Sequence, residues 1–188
     1  MEINLSWDLF IIVFFSVIIA YSFIIGKSKT LKLIIASYLA LLAADGIGNL
    51  AYKILLTQSQ FIKIFNVDTA DKLIIIFKVL CFIIGIVLIS IKGGFEVDTL
   101  IEKSVLLRSF STFIFGFMSA GIIISTILTF TLGNSFLDGG AFASQTTSLN
   151  IYNESAFAKI MVQNFNLWFS LPALTIILVS IIYSSSKE

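Results

Sequence analysis

The chain of 188 residues contains no histidine, one proline and one cysteine. Without histidine and with a single thiol, a Cys/His zinc site, a disulfide framework and catalysis through imidazole are excluded. Charged residues make up only 12% of the chain, against roughly 25% in a soluble domain. The formal net charge of +1 provides no field that would gather nucleic acid. The composition therefore argues against a water-soluble fold and against a nucleic-acid partner.

Long apolar runs are abundant, and hydrophobic residues account for 58% of the chain. A bilayer core about 30 Å thick requires about 20 apolar residues in a helix that rises 1.5 Å per residue. We predict an all-α integral membrane protein with a single membrane domain over residues 1–188. Its five transmembrane helices are expected at about 8–26, 33–56, 73–92, 109–132 and 164–184, with a polar outer loop over 133–156. The second helix contains Asp45-Gly46-Ile47-Gly48-Asn49, so Leu33–Leu56 either crosses fully or is broken at Asp45–Gly48.

Basic residues flank the predicted helices unequally. Residues 27–32 contain three lysines, and residues 92–108 contain two lysines and the one arginine of the chain, whereas the polar loop 133–156 contains neither residue type. The positive-inside rule then places the amino terminus outside and the carboxyl terminus in the cytoplasm. We expect a multi-pass protein of the cell (inner) membrane, with the lipid bilayer as its first partner.

Two connectors between the predicted helices have the spacing of helices that lie on a membrane surface. In residues 61–65 and again in residues 95–109, apolar side chains recur on one face of a helix, which is typical of interfacial helices. Gly93-Gly94 separates the second connector from the third predicted helix. The sequence therefore predicts one or two short interfacial helices.

Two ionisable side chains, Asp45 and Lys78, fall inside predicted helices, and each costs about 2.5 to 3.5 kcal/mol to insert. Antiparallel neighbours would bring them to a similar depth, so an ion pair is the plainest prediction, and exchange of the two charges should then be tolerated. A second interpretation is a polar path for a proton or cation at Asp45, Asn49 and Lys78, with Gly46 and Gly48 unwinding the helix. In a third, Lys78 extends its stem to the interface and leaves Asp45 to Asn49 or water.

Small residues recur at intervals of four along the fourth predicted helix, and they allow helix backbones to approach closely. The two ridges are Thr112, Gly116 and Ala120, and Gly121, Ser125 and Thr129. Their partner is either a helix of this chain or another copy. In the fifth helix, Pro172 predicts a kink.

Motifs for chemistry are not found in the sequence. It contains no glycine-rich phosphate loop, serine nucleophile motif or cluster of carboxylates. We therefore predict no enzyme activity, no cofactor and no metal site.

Several segments follow one another in the order of a known family. They are Asp8-Leu9-Phe10-Ile11-Ile12, Gly26-Lys27-Ser28-Lys29, Ile101-Glu102-Lys103 with Arg108, and Phe115-Gly116-Phe117-Met118-Ser119-Ala120-Gly121. With them the chain resembles the colicin V production protein family of bacterial inner-membrane proteins over roughly residues 5–135, which leaves the fifth helix outside. The resemblance implies a small inner-membrane protein linked to envelope function or to the production or export of a peptide toxin.

These observations favour a non-enzymatic membrane protein that acts as a scaffold or small subunit of an envelope complex. Its partner would be another membrane protein or further copies of the chain, because small-residue ridges and interfacial helices favour packing. The alternative is a transporter or channel component with a polar path at Asp45, Asn49 and Lys78.

Overall fold

The computed structural model describes residues 7–57, 67–94, 105–137 and 155–185. Within these ranges six helices follow one another: α1 (Trp7–Ile25), α2 (Lys27–Thr57), α3 (Val67–Lys92), α4 (Val105–Thr131), α5 (Ala156–Gln163) and α6 (Phe165–Ser185). The predicted all-helical fold is confirmed for this part of the chain. Helices α1 to α4 are each long and apolar enough to cross a bilayer, and α5 with α6 adds a fifth span if the bent pair is counted as one.

The centre of the bundle is formed by α2 and α4. The most extensive helix contact is between α2 and α3, and α4 packs against α1, α2 and α6. Between α2, α3 and α4 lies the largest apolar cluster, in which the rings of Phe82 and Phe130 meet edge to face at 6.2 Å. Most apolar side chains of α1 and α3 are exposed instead. These two helices therefore lie at the periphery.

The second predicted helix is unbroken. Its backbone is helical from Lys27 to Thr57, through Gly46 and Gly48. Glycine in a helix costs about 1 kcal/mol relative to alanine, and the packing of α2 against α3 and α4 is sufficient to keep the helix intact. The interpretation in which these glycines unwind the helix and turn carbonyls towards a cavity is therefore wrong.

A single residue, Gly26, joins α1 to α2. Its φ of +81° lies in the left-handed region that glycine adopts without strain. The Gly26 amide donates to the Ser22 carbonyl at 2.9 Å, and the Thr30 hydroxyl donates to the Gly26 carbonyl at 2.9 Å. These hydrogen bonds fix the end of α1 to the first turn of α2.

Contacts at the helix ends define two sides of the bundle. The Lys32 ammonium donates to the Gly93 carbonyl at 2.6 Å, so the start of α2 lies beside the end of α3. On the opposite side, Asp8 of α1 accepts a hydrogen bond from the Phe157 amide near the start of α5. The later part of α6 packs near the start of α2, where Ile176 and Val179 contact a cluster of Leu31, Ile34 and Phe115. The start of α1 and the end of α6 consequently lie on opposite sides.

The interfacial helices predicted from the sequence fall largely outside the described residues, which include neither 61–65 nor 95–104. Residues 105–109 form the first turns of α4, and α3 ends at Lys92, directly before Gly93-Gly94. Of the predicted polar loop 133–156, residues 138–154 also lie outside the described ranges.

The region of the fifth predicted helix consists of two helices. The short helix α5 begins after Ser155, whose hydroxyl accepts a hydrogen bond from the Ala158 amide at 2.9 Å as an N-cap. The axes of α5 and α6 are bent by 62° at the break, Asn164. Pro172, where the sequence predicts a kink, is buried inside α6. The sharp bend of this region thus falls at Asn164, ahead of the proline.

Candidate functional site

Four polar side chains meet between α2, α3 and the segment that follows α4, and we call them the polar cluster: Asp45, Asn49, Lys78 and Ser135. Asp45 and Asn49 lie one turn apart on the same face of α2. The Lys78 ammonium lies 2.6 Å from Oδ1 of Asp45 and 2.6 Å from Oδ1 of Asn49. The Asn49 amide nitrogen donates to the Ser135 hydroxyl at 2.9 Å. The three residues that the sequence selects for an ion pair or polar path are thus brought together.

Both oxygens of the Asp45 carboxylate accept hydrogen bonds. While Oδ1 faces Lys78, Oδ2 accepts from the Ser135 hydroxyl at 2.9 Å, from the Phe136 amide at 2.7 Å and from the Leu137 amide at 2.8 Å. A carboxylate has about four acceptor positions, and four donors address this one. Asp45 therefore ties α2 to α3 and to the chain that leaves α4.

A turn at the end of α4 directs these donors towards Asp45. Gly133 has a φ of +71°, and its amide donates to the Phe130 carbonyl at 2.9 Å. The next amide, of Asn134, donates to the Thr129 carbonyl at 3.1 Å. This is the usual way in which a glycine ends a helix. The chain turns back, and Ser135 enters the bundle.

The cluster is closed off from the surroundings. Asp45 and Lys78 are both 0% exposed, and Asn49 and Ser135 are each 8% exposed. The Lys78 ammonium also lies 5.6 Å from the centre of the Phe130 ring, within range of a cation–π interaction. Removing one partner of such a buried pair costs about 3 to 5 kcal/mol, because the other charge remains without compensation. The interpretation in which Lys78 extends to the interface is wrong.

Gly48 provides the space through which Lys78 reaches Asp45. A β-carbon built at position 48 would lie 2.9 Å from Cδ of Lys78 and closer still to Cγ, which is inside van der Waals contact. Gly46, two residues earlier, has only an ordinary contact at 3.5 Å with Leu137. The lysine stem therefore crosses α2 where that helix lacks a side chain.

The chemistry available to the polar cluster is that of one carboxylate, one ammonium, one amide and one hydroxyl. Opposite charges are balanced within it, and each group has a partner. Within residues 7–57, 67–94, 105–137 and 155–185, no group of three or more His, Cys, Asp or Glu side chains could hold a metal ion. The arrangement ties α2, α3 and the segment after α4 together.

The first small-residue ridge of α4 faces α1. A β-carbon at Gly116 would lie 2.9 Å from Cβ of Ser22 and 3.4 Å from the Cα of Ile19. Thr112 and Ala120, above and below it, are buried. For this ridge the neighbouring helix belongs to the same chain.

The second ridge of α4 faces α6 in its first part. A β-carbon at Gly121 would overlap the six-membered ring of Trp168, whose centroid lies 6.0 Å from that of Phe15 and 5.6 Å from that of Phe117. Ser125 and Thr129 are buried, and the Thr129 hydroxyl donates to the Ser125 carbonyl at 2.7 Å. Trp168 thus occupies the space that the glycine leaves.

Two polar contacts that tie the helices together are not predicted from the sequence. The first is the set of three groups at Ser135–Leu137 that donate to Asp45. Its one local signal in the sequence is Gly133, which follows an apolar helix. The second joins α1 to α5: the Ser155 hydroxyl donates to Oδ1 of Asp8 at 2.5 Å and the Phe157 amide does so at 3.1 Å. In both cases a carboxylate holds one end of the segment 137–155.

Comparison with models of protein families, with curated proteins and with solved structures finds no match to this chain.

Proposed function

We propose that this protein is a non-enzymatic, multi-pass integral membrane protein of the cell (inner) membrane, a scaffold or small subunit of an envelope complex. The observation that carries the proposal is the direction of its polar groups. Asp45 and Lys78 point into the bundle and compensate each other, whereas the outer faces of α1 and α3 are covered by apolar side chains. This distribution suits a protein that presents apolar surface to lipid and to neighbouring membrane helices.

Orientation is part of the proposal, with the amino terminus outside and the carboxyl terminus in the cytoplasm. It is supported by the placement of the start of α1 and the end of α6 on opposite sides, and by the lysines at the start of α2. Fusions of an enzyme that is active only in the cytoplasm should be active at residue 188 and inactive at residue 1. Activity of both fusions, or of neither, would overturn the fivefold crossing.

The kind of complex is suggested by the resemblance to the colicin V production protein family. The resemblance is one of sequence segments, and it favours a role in envelope function or in the production or export of a peptide toxin. Extraction in a mild detergent, followed by native mass spectrometry of what co-purifies with the full chain, tests this. A defined larger assembly is the expected result, and a pure monomer would contradict a scaffold.

The alternative function, transport, is not tested by native mass spectrometry and requires a flux measurement. Proteoliposomes of the wild-type chain and of Asp45→Asn should show the same ion and proton leak as empty vesicles, because Asp45 and Lys78 are both fully buried and paired. Asp8→Asn is the matched control, since it removes a carboxylate at the end of the bundle. Flux in the wild type that Asp45→Asn abolishes and Asp8→Asn retains would establish a polar path instead.

A further inference from the structure

Three lysines gather where α2 begins and α3 ends, and we call them the basic patch: Lys29, Lys32 and Lys92. The Lys32 ammonium donates to the carbonyl of Gly93, the residue that follows Lys92 in the chain, at 2.6 Å. Lys29 lies one turn before Lys32 on α2, on the same face. Lys29 and Lys92 are exposed, and Lys32 is half-buried between the two helices. The patch therefore concentrates positive charge at one edge of the bundle.

Neighbouring elements add further cations to this side. The Lys27 ammonium lies 5.8 Å from the centre of the Phe115 ring on α4, and the exposed Arg108 lies two turns earlier on α4. Every aspartate in the described ranges lies towards the opposite side, near the starts of α1 and α3 or the later half of α2. The described helices have no aspartate or glutamate on this side.

Apolar side chains adjoin the basic patch. Ile91, directly before Lys92, is 75% exposed, and Ile24, two residues before the Gly26 turn into α2, is 81% exposed. A soluble anion would gain nothing from these two side chains. An amphiphile with a phosphate head and hydrocarbon tails would satisfy both the lysines and the isoleucines.

We propose that the basic patch binds the headgroup phosphate of an anionic phospholipid in the leaflet on this side of the bundle. The inference rests on the proposed membrane location and adds a preferred lipid to it. Basic pockets between helix ends on the cytoplasmic side are the common form of such sites, and this side is the one that the proposed orientation places in the cytoplasm. Lys29 and Lys92 supply the exposed charges, while the contact with Gly93 holds Lys32 between them.

The test compares lipid binding by the full chain in nanodiscs of phosphatidylcholine that contain a small fraction of fluorescent phosphatidylglycerol. Each lysine near an anionic surface contributes about a fivefold preference, so Lys29→Gln with Lys92→Gln should lower the preference for phosphatidylglycerol about 25-fold. Lys29→Arg with Lys92→Arg should retain it. Lys53→Gln with Lys72→Gln, which removes two exposed lysines on the opposite side, is the matched control and should leave it unchanged.

Each outcome decides the matter. Equal preference for the two lipids in the wild type, or an equal loss in the control pair, would overturn the proposal. Displacement of phosphatidylglycerol by millimolar inorganic phosphate would show that the patch takes the free anion, and would overturn the lipid assignment. Failure of the wild type to enter nanodiscs would contradict the membrane proposal itself, and is distinguishable because no lipid preference is then measured.

Discussion

Lys78 crosses α2 at Gly48, and its side chain occupies the place where any other residue type would put a β-carbon. The Lys78 ammonium lies 2.6 Å from Oδ1 of Asp45, and Asp45 precedes Gly48 by less than one turn of α2. The glycine and the ion pair thus form one arrangement, because the lysine stem passes through the space that Gly48 leaves on its way to the carboxylate. Two glycines lie between Asp45 and Asn49, and they differ in their surroundings: Gly48 faces the Lys78 stem, whereas Gly46 faces Leu137.

Alanine substitutions at these two glycines should have opposite effects. Gly48→Ala forces the fully buried Lys78 stem to move, and overpacking of this kind costs about 1 to 3 kcal/mol. Gly46→Ala meets only an ordinary contact with Leu137 and gains up to about 1 kcal/mol of helix propensity. The free energy of unfolding in detergent micelles, followed by circular dichroism, measures both. Equal effects at the two positions would contradict the path of Lys78 over Gly48.

Removal of either charge of the polar cluster should destabilise the protein more than removal of both. Asp45→Asn and Lys78→Met should each cost about 3 to 5 kcal/mol, because the remaining charge is buried without a partner. The double variant should cost less than either single substitution, and the double-mutant cycle gives the coupling. Additive losses would show that the two side chains act independently.

Exchange of the two charges, which a simple ion pair should tolerate, is now expected to fail. The amides of Phe136 and Leu137 and the hydroxyl of Ser135 donate to Oδ2 of Asp45. A lysine at position 45 would direct an ammonium at these donors. Asp45→Lys with Lys78→Asp should therefore be less stable than Asp45→Asn with Lys78→Met in the same unfolding measurement. Similar stability of the two pairs would show that the donors after α4 contribute little.

The sequence is sufficient to predict the helices and the partnership of Asp45 with Lys78, because apolar run length and the cost of a lone buried charge are local properties. It is not sufficient to predict the donors at Ser135–Leu137, since their direction depends on how the chain turns at Gly133. The distinction between Gly46 and Gly48 likewise depends on a neighbour from another helix. The bend at Asn164 does not follow from the sequence, because α5 comes after a polar stretch that is typical of a loop and the N-cap at Ser155 is a weak signal.

Trp168 should report the packing of α4 against α6. Gly121→Ala introduces a methyl group into the space of the indole ring, so the ring must leave its place beside Phe15 and Phe117. In a Trp7→Phe background, in which Trp168 is the remaining tryptophan, its fluorescence emission should shift. Gly121→Ala should also lower the free energy of unfolding, and its combination with Trp168→Leu, which removes the indole ring, should recover part of that loss. No recovery would mean that the clash with the indole does not explain the loss.

The contact between α1 and α5 should be weakened by removal of the Ser155 hydroxyl, which both caps α5 and donates to Asp8. Loss of an N-cap serine typically costs about 0.5 to 2 kcal/mol. Ser155→Ala should therefore raise amide hydrogen exchange in residues 156–163 and leave exchange in α2 unchanged. Ser16→Ala, which removes an exposed hydroxyl bonded to the Ile12 carbonyl of α1, is the control. A uniform rise of exchange over all helices would contradict a local role.

Two buried serines of the central helices differ in their hydrogen bonding, and this difference predicts the sign of a stability change. The Ser119 hydroxyl on α4 is fully buried and has no hydrogen-bond partner among the described residues, whereas the equally buried Ser37 hydroxyl on α2 donates to the Leu33 carbonyl at 2.8 Å. An unpaired buried polar group costs about 1 to 3 kcal/mol, and alanine removes it with a gain in helix propensity.

Ser119→Ala should accordingly raise the free energy of unfolding, and Ser37→Ala should raise it less or lower it, because its substitution also removes a hydrogen bond of about 1 kcal/mol. The two substitutions delete the same atom from helices of the same bundle, so propensity and volume cancel in the comparison. Thermal unfolding of both variants in one detergent measures the difference. A greater stabilisation by Ser37→Ala would show that the Ser119 hydroxyl has a partner that these helices do not provide.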